Sequence, residues 1–273
     1  MVVFKEVKRA DLGFLTKANF EEGELKSIYE ELRLSKEVNK KKIVLILYTS
    51  GKLLLQGNEE EKEKVAAQLR KKGLEEIKPV NFRVEKGVII GSDESLKGDT
   101  FGGLVVAAVK ADDVVREKLK ELGVADSKKL ADKEIIVMAD KIRNLAECEV
   151  ISIFPEEYNR NKITRLLNKL HRDGYNYLKP GKHVVDKYPG CTVGEIKEEK
   201  AEDKYVEVAA ASVLARAAAL KQLDSLSMKA GFDLPKGSTH VKLALHELKK
   251  KGLDFREFVK LDFKNVVEFL STN

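Results

Sequence analysis

The sequence predicts an α/β protein built as two domains: a small α+β unit over residues 1–80, and a larger unit over 81–273 whose mixed sheet is flanked by helices. Three observations carry this reading. From residue 87 onward, apolar β-branched runs alternate with helical patterns, the order that packs a sheet on both faces. A polar stretch with one proline, GLEEIKPVNFRVEK (73–86), separates that region from what precedes it and reads as a linker. The chain has 273 residues, 43% of them apolar, enough for one large core or two smaller ones.

In the first domain, EEGELKSIYEELRL (21–34) places Leu25, Ile28, Tyr29 and Leu32 at helical spacing and predicts a helix. KKIVLILYTS (41–50) and KLLLQG (52–57) flank a Ser50-Gly51 turn and form a hairpin. EEEKEKVAAQLRKKG (59–73) has acids in its first turn and bases and Gly73 at its end, which suits a helix dipole. In the second domain, GVIIGSDES (87–95) and FGGLVVAAVKA (101–111) are strands. VVREKLKELG (114–123) and KLADKEIIVMADKIRNLA (129–146) are helices, and ECEVISIFP (147–155) is a strand. Residues 155–178 are mostly helical, GKHVVDKYPG (181–190) is a short strand stopped by Pro-Gly, and 206–231 is a long helix. The tail from Asp254 to Leu270 is predicted helical with aromatic anchors.

Composition removes several function classes. No apolar run approaches the ~18 residues of a membrane span, and MVVFKEVKRADLGF holds no apolar segment with a cleavage site. A cytoplasmic protein with no membrane partner is therefore expected. Cys148 and Cys191 lie in no CxxC, so neither a disulfide framework nor a zinc site is expected. Residues 1–80 carry 17 basic and 14 acidic side chains, so each part holds +3 of the net +6, with no basic tail. Charge alone therefore does not identify a partner.

Four acids stand in apolar surroundings. Asp93 and Glu94 end the strand GVIIGSDE, Asp186 ends KHVVD, and Glu202 precedes the apolar opening of the long helix. An acid at the end of a buried strand is costly unless compensated. Each alone reads as a cap or a lysine partner; four together suggest a site at the C-terminal ends of strands, where open α/β sheets bind ligands. Converging carboxylates need cations, and Mg²⁺ or Mn²⁺ suits oxygen ligands. Neighbouring strand residues face opposite ways, so Asp93 and Glu94 share a site only if the strand ends or bulges there. SLKGDTFGG (95–103) contains Gly98, Gly102 and Gly103, which serve either a tight turn or a close approach to a sugar or phosphate. Asp126, Ser127 and Lys128 read locally as a helix cap followed by a solvated lysine. VAAAS (208–212) reads as close helix–sheet packing, and the four histidines show no metal spacing.

These segments together resemble the type 2 ribonuclease H superfamily and, within it, the ribonuclease HIII family. GSDESLKGDTFGGLVVAA (91–108), VADSKKL (124–130), HVVDKY (183–188) and KAEDKYVEVAAASVLAR (200–216) match its segments in order; LPKG (234–237) and KLDFKN (260–265) match weaker features. ILYTSGKLLLQG (46–57) resembles the family's N-terminal extension, which is similar to a half of the TATA-binding protein fold. The resemblance implies a ribonuclease-H-like sheet in 81–273 and cleavage of the RNA strand of an RNA–DNA hybrid by two metal ions, leaving 5′-phosphate and 3′-hydroxyl ends. It places the metal-binding acids on Asp93, Glu94, Asp186 and Glu202, ribose and phosphate contacts on Lys97 and Gly98, and phosphate contacts on Ser127 and Lys128. The domain 1–80 would bind the hybrid, with Lys40, Lys41, Lys42 and Lys52 near phosphates.

One segment departs from the family. Where ribonuclease HIII reads Gly-Thr-Gly and ribonuclease HII reads Gly-Arg-Gly, this chain has Leu96-Lys97-Gly98. A basic middle residue, as in type HII, raises activity at a single ribonucleotide embedded in DNA as an expectation. VVEFLSTN (266–273) lacks the glutamine and paired aromatics of a sliding-clamp motif, and a monomer without a clamp tether is expected. Another nuclease on the same fold, or a non-cleaving hybrid-binding protein, remain the alternatives.

Overall fold

The structure is a computed structural model of the chain and describes residues 2–38, 41–77, 82–83, 85–124 and 130–272. The chain divides into two compact units, Met1–Pro79 and Val80–Asn273.

The first unit contains β1 (Val2–Lys5), α1 (Gly13–Lys17), β2 (Glu21–Glu22), β3 (Glu30–Val38), β4 (Lys41–Tyr48), β5 (Leu53–Gly57), α2 (Glu59–Lys71) and β6 (Glu75–Ile77). Its sheet runs β2-β3-β4-β5-β1-β6, antiparallel throughout. Leu34, Leu45, Leu53 and Leu55 of the sheet meet Val65, Ala66 and Leu69 of α2 in one core. The Asn58 side chain accepts from the Glu60 N–H and starts α2.

Two expectations fail here. Residues 21–34 are not a helix. The predicted apolar stripe lies outside, with Ile28 87% exposed and Leu25 and Tyr29 also exposed. From Leu32 the alternation Leu32, Leu34 buries one face of β3, and the ladder to β4 from Glu30 to Val38 supplies backbone bonds that a helix cannot share. Arg33 instead reaches Glu30 through two bonds of 3.0 and 2.6 Å. The stretch 73–86 is not wholly a linker either, since β6 pairs with β1 along Val3↔Ile77 to Lys5↔Glu75. A three-residue edge strand leaves too short a pattern to detect.

The second unit contains β7 (Ile89–Ser95), β8 (Leu104–Ala111), α3 (Asp113–Glu121), α4 (Asp132–Leu145), β9 (Glu147–Ile153), α5 (Pro155–Tyr158), α6 (Ile163–Leu178), β10 (Lys182–Asp186), β11 (Ile196–Glu198), α7 (Val206–Ala230), α8 (Lys242–Lys250) and α9 (Lys264–Thr272). The sheet order is β11-β10-β7-β8-β9. β7, β8 and β9 are antiparallel, and β10 and β11 add in parallel beyond β7. Burial on both faces explains the unbroken apolar run of β8. Val105, Ala107 and Val109 pack towards α7, α3 and α4. Leu104 and Val106 pack towards α6.

The small residues of VAAAS do what close packing requires. A Cβ on Gly91 would overlap the Val208 nitrogen and the Glu207 carbonyl carbon, so β7 and the first turn of α7 touch through backbone. Arg116 pins the same turn from the other side. Its Nε donates to buried Glu207 (2.6 Å), and its remaining donors reach Asp113, the Glu85 carbonyl and the Gly87 carbonyl.

The tail from Asp254 is helical only in part. A single turn at Phe255–Glu257 precedes α9, and the backbone between them pairs with the loop after β7. Gly102 N donates to Phe258 O and Lys260 N to Thr100 O, both at 3.0 Å. The LPKG segment holds the same loop: Gly237 N donates to Asp99 Oδ1 at 2.6 Å. Lys260 itself is 0% exposed. Its ammonium donates to the carbonyls of Asp99 (2.5 Å) and Gly102 (2.9 Å), beneath the rings of Tyr158 and Phe263. Burial pulls its pKa down to about 7, against the opposing pull of Asp99 and Asp262.

An unfolded lysine titrates near 10.4, so between about pH 7 and 10 the unfolded chain binds the extra proton and stability rises with pH. Urea unfolding of the protein and of Lys260→Met across this window is expected to show a steeper rise for the unmodified chain, by at most about 1.4 kcal/mol per pH unit. Parallel curves would overturn the assignment.

Candidate active site

β7 presents its two acids without ending or bulging. Its register with β8 continues through Asp93↔Ala107, Glu94↔Val106 and Ser95↔Val105. The condition set by the sequence for a shared site is therefore not met in that form, and the carboxylates leave opposite faces of the sheet. Asp93 turns towards α7, where the Ser212 hydroxyl donates to it. Glu94 turns towards α6, where its Oε2 lies 3.3 Å from His171 Nε2.

Asp186 joins Asp93. β10 pairs in parallel with β7 up to Val185↔Ser92, so the next residues along, Asp186 and Asp93, are neighbours on the α7 face. Asp186 Oδ1 accepts from Ala201 N at 2.8 Å and so caps the turn Ala201–Asp203, which carries buried Glu202 immediately before α7. Asp93, Asp186 and the Glu202 turn thus gather on one side of the β7–β10 ends, with Glu94 behind them.

The electrostatics differ between the adjacent acids. Burial first, and then the Glu94 carboxylate, push Asp93 well above the usual carboxylate range. Asp186 adds to this, and the donors on Asp93, Ser212 and the Glu94 N–H at 2.8 Å, do not compensate. Burial would also raise Glu94, but His171 and the Lys97 ammonium, 2.8 Å from Oε1, outweigh it and hold its pKa below the ordinary value.

A hard divalent cation suits this donor set. Asp93 is a buried carboxylate destabilised by two others, which is the condition a cation relieves. As the side chains stand, the carboxylates rest on protein donors, and among the described residues no three His, Cys, Asp or Glu groups are clustered around one point.

The loop after β7 divides its glycines by function. Gly103 has no room for a Cβ against the Ile153 carbonyl, whereas a Cβ on Gly98 would meet nothing within 4 Å. Gly98 therefore leaves open backbone beside the acids. Leu96 has a left-handed φ of 65° with its side chain buried. Lys97 is 40% exposed, with Nζ 5.4 Å from the centre of the Tyr188 ring.

Sequence reasoning assigned the histidines only default roles. His171 and His183 are buried behind Glu94, and Ser92 Oγ lies 2.8 Å from His171 Nδ1 and 2.8 Å from His183 Nε2. Burial, with His171 nearby, brings the His183 pKa down to about 3, so its ring is neutral. A signal existed for His171, which continues the buried stripe Leu166, Leu167, Leu170, Gly174 of α6.

The predicted lysines do not form one cluster. Lys41 and Lys42 are exposed at the start of β4, while exposed Lys52 lies beyond its far end, past the turn. Lys40, Ser127 and Lys128 lie outside the described residues.

An order of three antiparallel strands extended by two parallel ones, with acids at the ends of β7 and β10, defines a ribonuclease-H-like nuclease. A family described as ribonuclease HII matches residues 90–266. Ribonuclease HIII of Enterococcus faecalis is 31% identical over 89% of this chain and 92% of its own length, and that of Bacillus subtilis 33% over 80% and 82%. A crystal structure of Bst-RNase HIII in complex with Mn²⁺ superposes with a TM-score of 0.62 at 25% identity, over 100% of this chain and 99% of that one. The chain belongs to the ribonuclease HIII family. It is a ribonuclease H endonuclease.

Proposed function

We propose that the protein is an endonuclease of the RNA strand of RNA–DNA hybrids, with Asp93, Glu94, Asp186 and Glu202 holding two divalent ions at the end of β7, where the Glu94 carboxylate acts on Asp93 although the two leave opposite faces. The observation that carries this is the gathering of Asp93, Asp186 and the Glu202 turn beside the open backbone of Gly98. Two divalent ions held there would supply the activation of a water and the neutralisation of the leaving oxygen that leave 5′-phosphate and 3′-hydroxyl ends. The chain's residues do the rest. Asp93, raised by its surroundings, would be held ionised by cations that offset Glu94 and Asp186. Gly98 lets the chain approach the ribose, Lys97 brings a positive charge to the phosphate, and Ser127 and Lys128 hold a neighbouring phosphate. Both cysteines are free thiols, which suits a reducing cytoplasm.

A labelled hybrid should be cut with Mg²⁺ or Mn²⁺ and left intact with EDTA. Asp93→Asn should lose nearly all cleavage, because a ligand to both ions is removed, while binding hybrid as before. A protein that binds hybrid but never cuts with any divalent ion would overturn the enzymatic reading, and cutting of DNA junctions in preference to hybrid would move it to another nuclease class.

We further propose that Lys97 extends activity to single ribonucleotides embedded in DNA. Support comes from the resemblance, which places it in the loop expected to meet the 2′-hydroxyl, and from its contacts with Glu94 and Tyr188. A duplex with one ribonucleotide should be cut beside it, and Lys97→Thr should reduce that cut more than cleavage of a long hybrid. No cut under conditions that cleave the hybrid would refute it.

We assign hybrid binding to the unit Met1–Pro79, which has its own core and exposes Lys41, Lys42 and Lys52. Removing it should weaken hybrid binding and make the dependence of affinity on salt shallower, because fewer phosphates are neutralised. Residual cleavage should persist. Unchanged affinity and salt slope would show that the unit serves another purpose.

A further inference from the structure

We propose that His171 is a positioning residue for Glu94, and that Ser92 and His183 fix the tautomer in which it acts. The proposal rests on the reading of Glu94 as a metal-binding carboxylate.

The geometry is a chain of four buried or nearly buried groups. Glu94 Oε2 and His171 Nε2 are 3.3 Å apart, an ion-pair distance without hydrogen-bond alignment as the side chains stand, and among the described residues neither buried atom has a hydrogen-bond partner. His171 Nδ1, Ser92 Oγ and His183 Nε2 follow at 2.8 Å each. A serine hydroxyl has one proton to donate. With a carboxylate opposite Nε2, the proton of a neutral His171 belongs on Nε2. Nδ1 must then accept, and Ser92 is the group placed to donate to it. Ser92 Oγ in turn accepts from His183 Nε2–H. The chain thus has one consistent direction, from His183 through Ser92 and His171 to Glu94.

The rings cannot easily turn out of this arrangement. His183 is stacked on Tyr175, with ring centres 4.8 Å apart and planes within 8°, and His171 is stacked on Tyr188 at 5.3 Å. The two oxygens of Glu94 are therefore held differently. Oε1 is held by Lys97, a long and partly exposed side chain, whereas Oε2 faces a wedged imidazole. Were a cation to take the place of Lys97, His171 would still hold the plane of the carboxylate. Partners of this kind orient ligands without touching the metal.

The test uses the full-length protein and Mn²⁺ binding measured by calorimetry without substrate. His171→Leu should weaken binding about 10–100-fold. His171→Gln, whose amide nitrogen can replace Nε2, should restore most of it, and hybrid binding in EDTA should be unchanged in both. Nitrogen-15 spectra of the metal-free protein should show His171 protonated on Nε2, and Ser92→Ala should mix the tautomers. Wild-type Mn²⁺ affinity in His171→Leu overturns the proposal, as does equal weakening in both variants with a fall in melting temperature. Glu94→Gln separates the layers: if it binds Mn²⁺ as the unmodified protein does, the reading of Glu94 as a ligand fails; if it weakens binding and His171→Leu does not, only the positioning role fails.

Discussion

The backbone contact between β7 and α7 is the constraint on which the site depends. Gly91 has no side chain because the Val208 nitrogen and the Glu207 carbonyl carbon occupy that space. This approach brings Ser212, one turn along α7, within reach of Asp93, two residues along β7. It also sets the segment before α7, whose turn carries Glu202, against the end of β10. Packing is rigid at such contacts, so the acids inherit their positions from it. The small residues of VAAAS, which look purely structural, are the precondition for the chemistry.

Keeping that contact tight brings charge indoors. Glu207 is buried in the first turn of α7 and is paired with Arg116, whose other donors reach two backbone carbonyls and Asp113. A buried pair of this kind gives little net stability relative to apolar residues, but loss of one partner is costly because the other charge remains buried. Its effect here is orientation: the carbonyls of Glu85 and Gly87 lead into β7, so Arg116 ties the start of β7 to the start of the helix facing it.

How far the sequence reveals this follows from the range of each signal. The core strands β7 and β8, the helices α4 and α7 and the hairpin of β4 and β5 are legible because their apolar patterns are long. The segment 21–34 misleads because Leu25, Ile28, Tyr29 and Leu32 satisfy the helical period locally, while the partner that settles the matter, β4, lies further along the chain. β11 and β6 are three residues each, too short to declare a period. For the site, residue types and order single out Asp93, Glu94, Asp186 and Glu202, but not the faces from which they act. The pairing of Ser92 with two histidines is invisible in sequence because it joins β7, α6 and β10.

The unbulged strand changes how metal site and recognition loop relate. Because Glu94 leaves the opposite face from Asp93, it sits beside the loop that begins at Leu96. The left-handed φ of Leu96 turns the chain back, so that Lys97 reaches Glu94 three residues earlier. Such a conformation costs a non-glycine residue on the order of 1 kcal/mol, and burial of the leucine side chain offsets it. Glycine would adopt the turn freely but would anchor nothing. Leu96 therefore ties the loop to the core through its buried side chain, and Lys97 ties it to Glu94. The anchor of Lys97 is the carboxylate that the neighbouring histidine also holds. Lys97 and His171 thus meet on one carboxylate, so a change in the loop at Leu96–Gly98 and a change at His171 both act on Glu94.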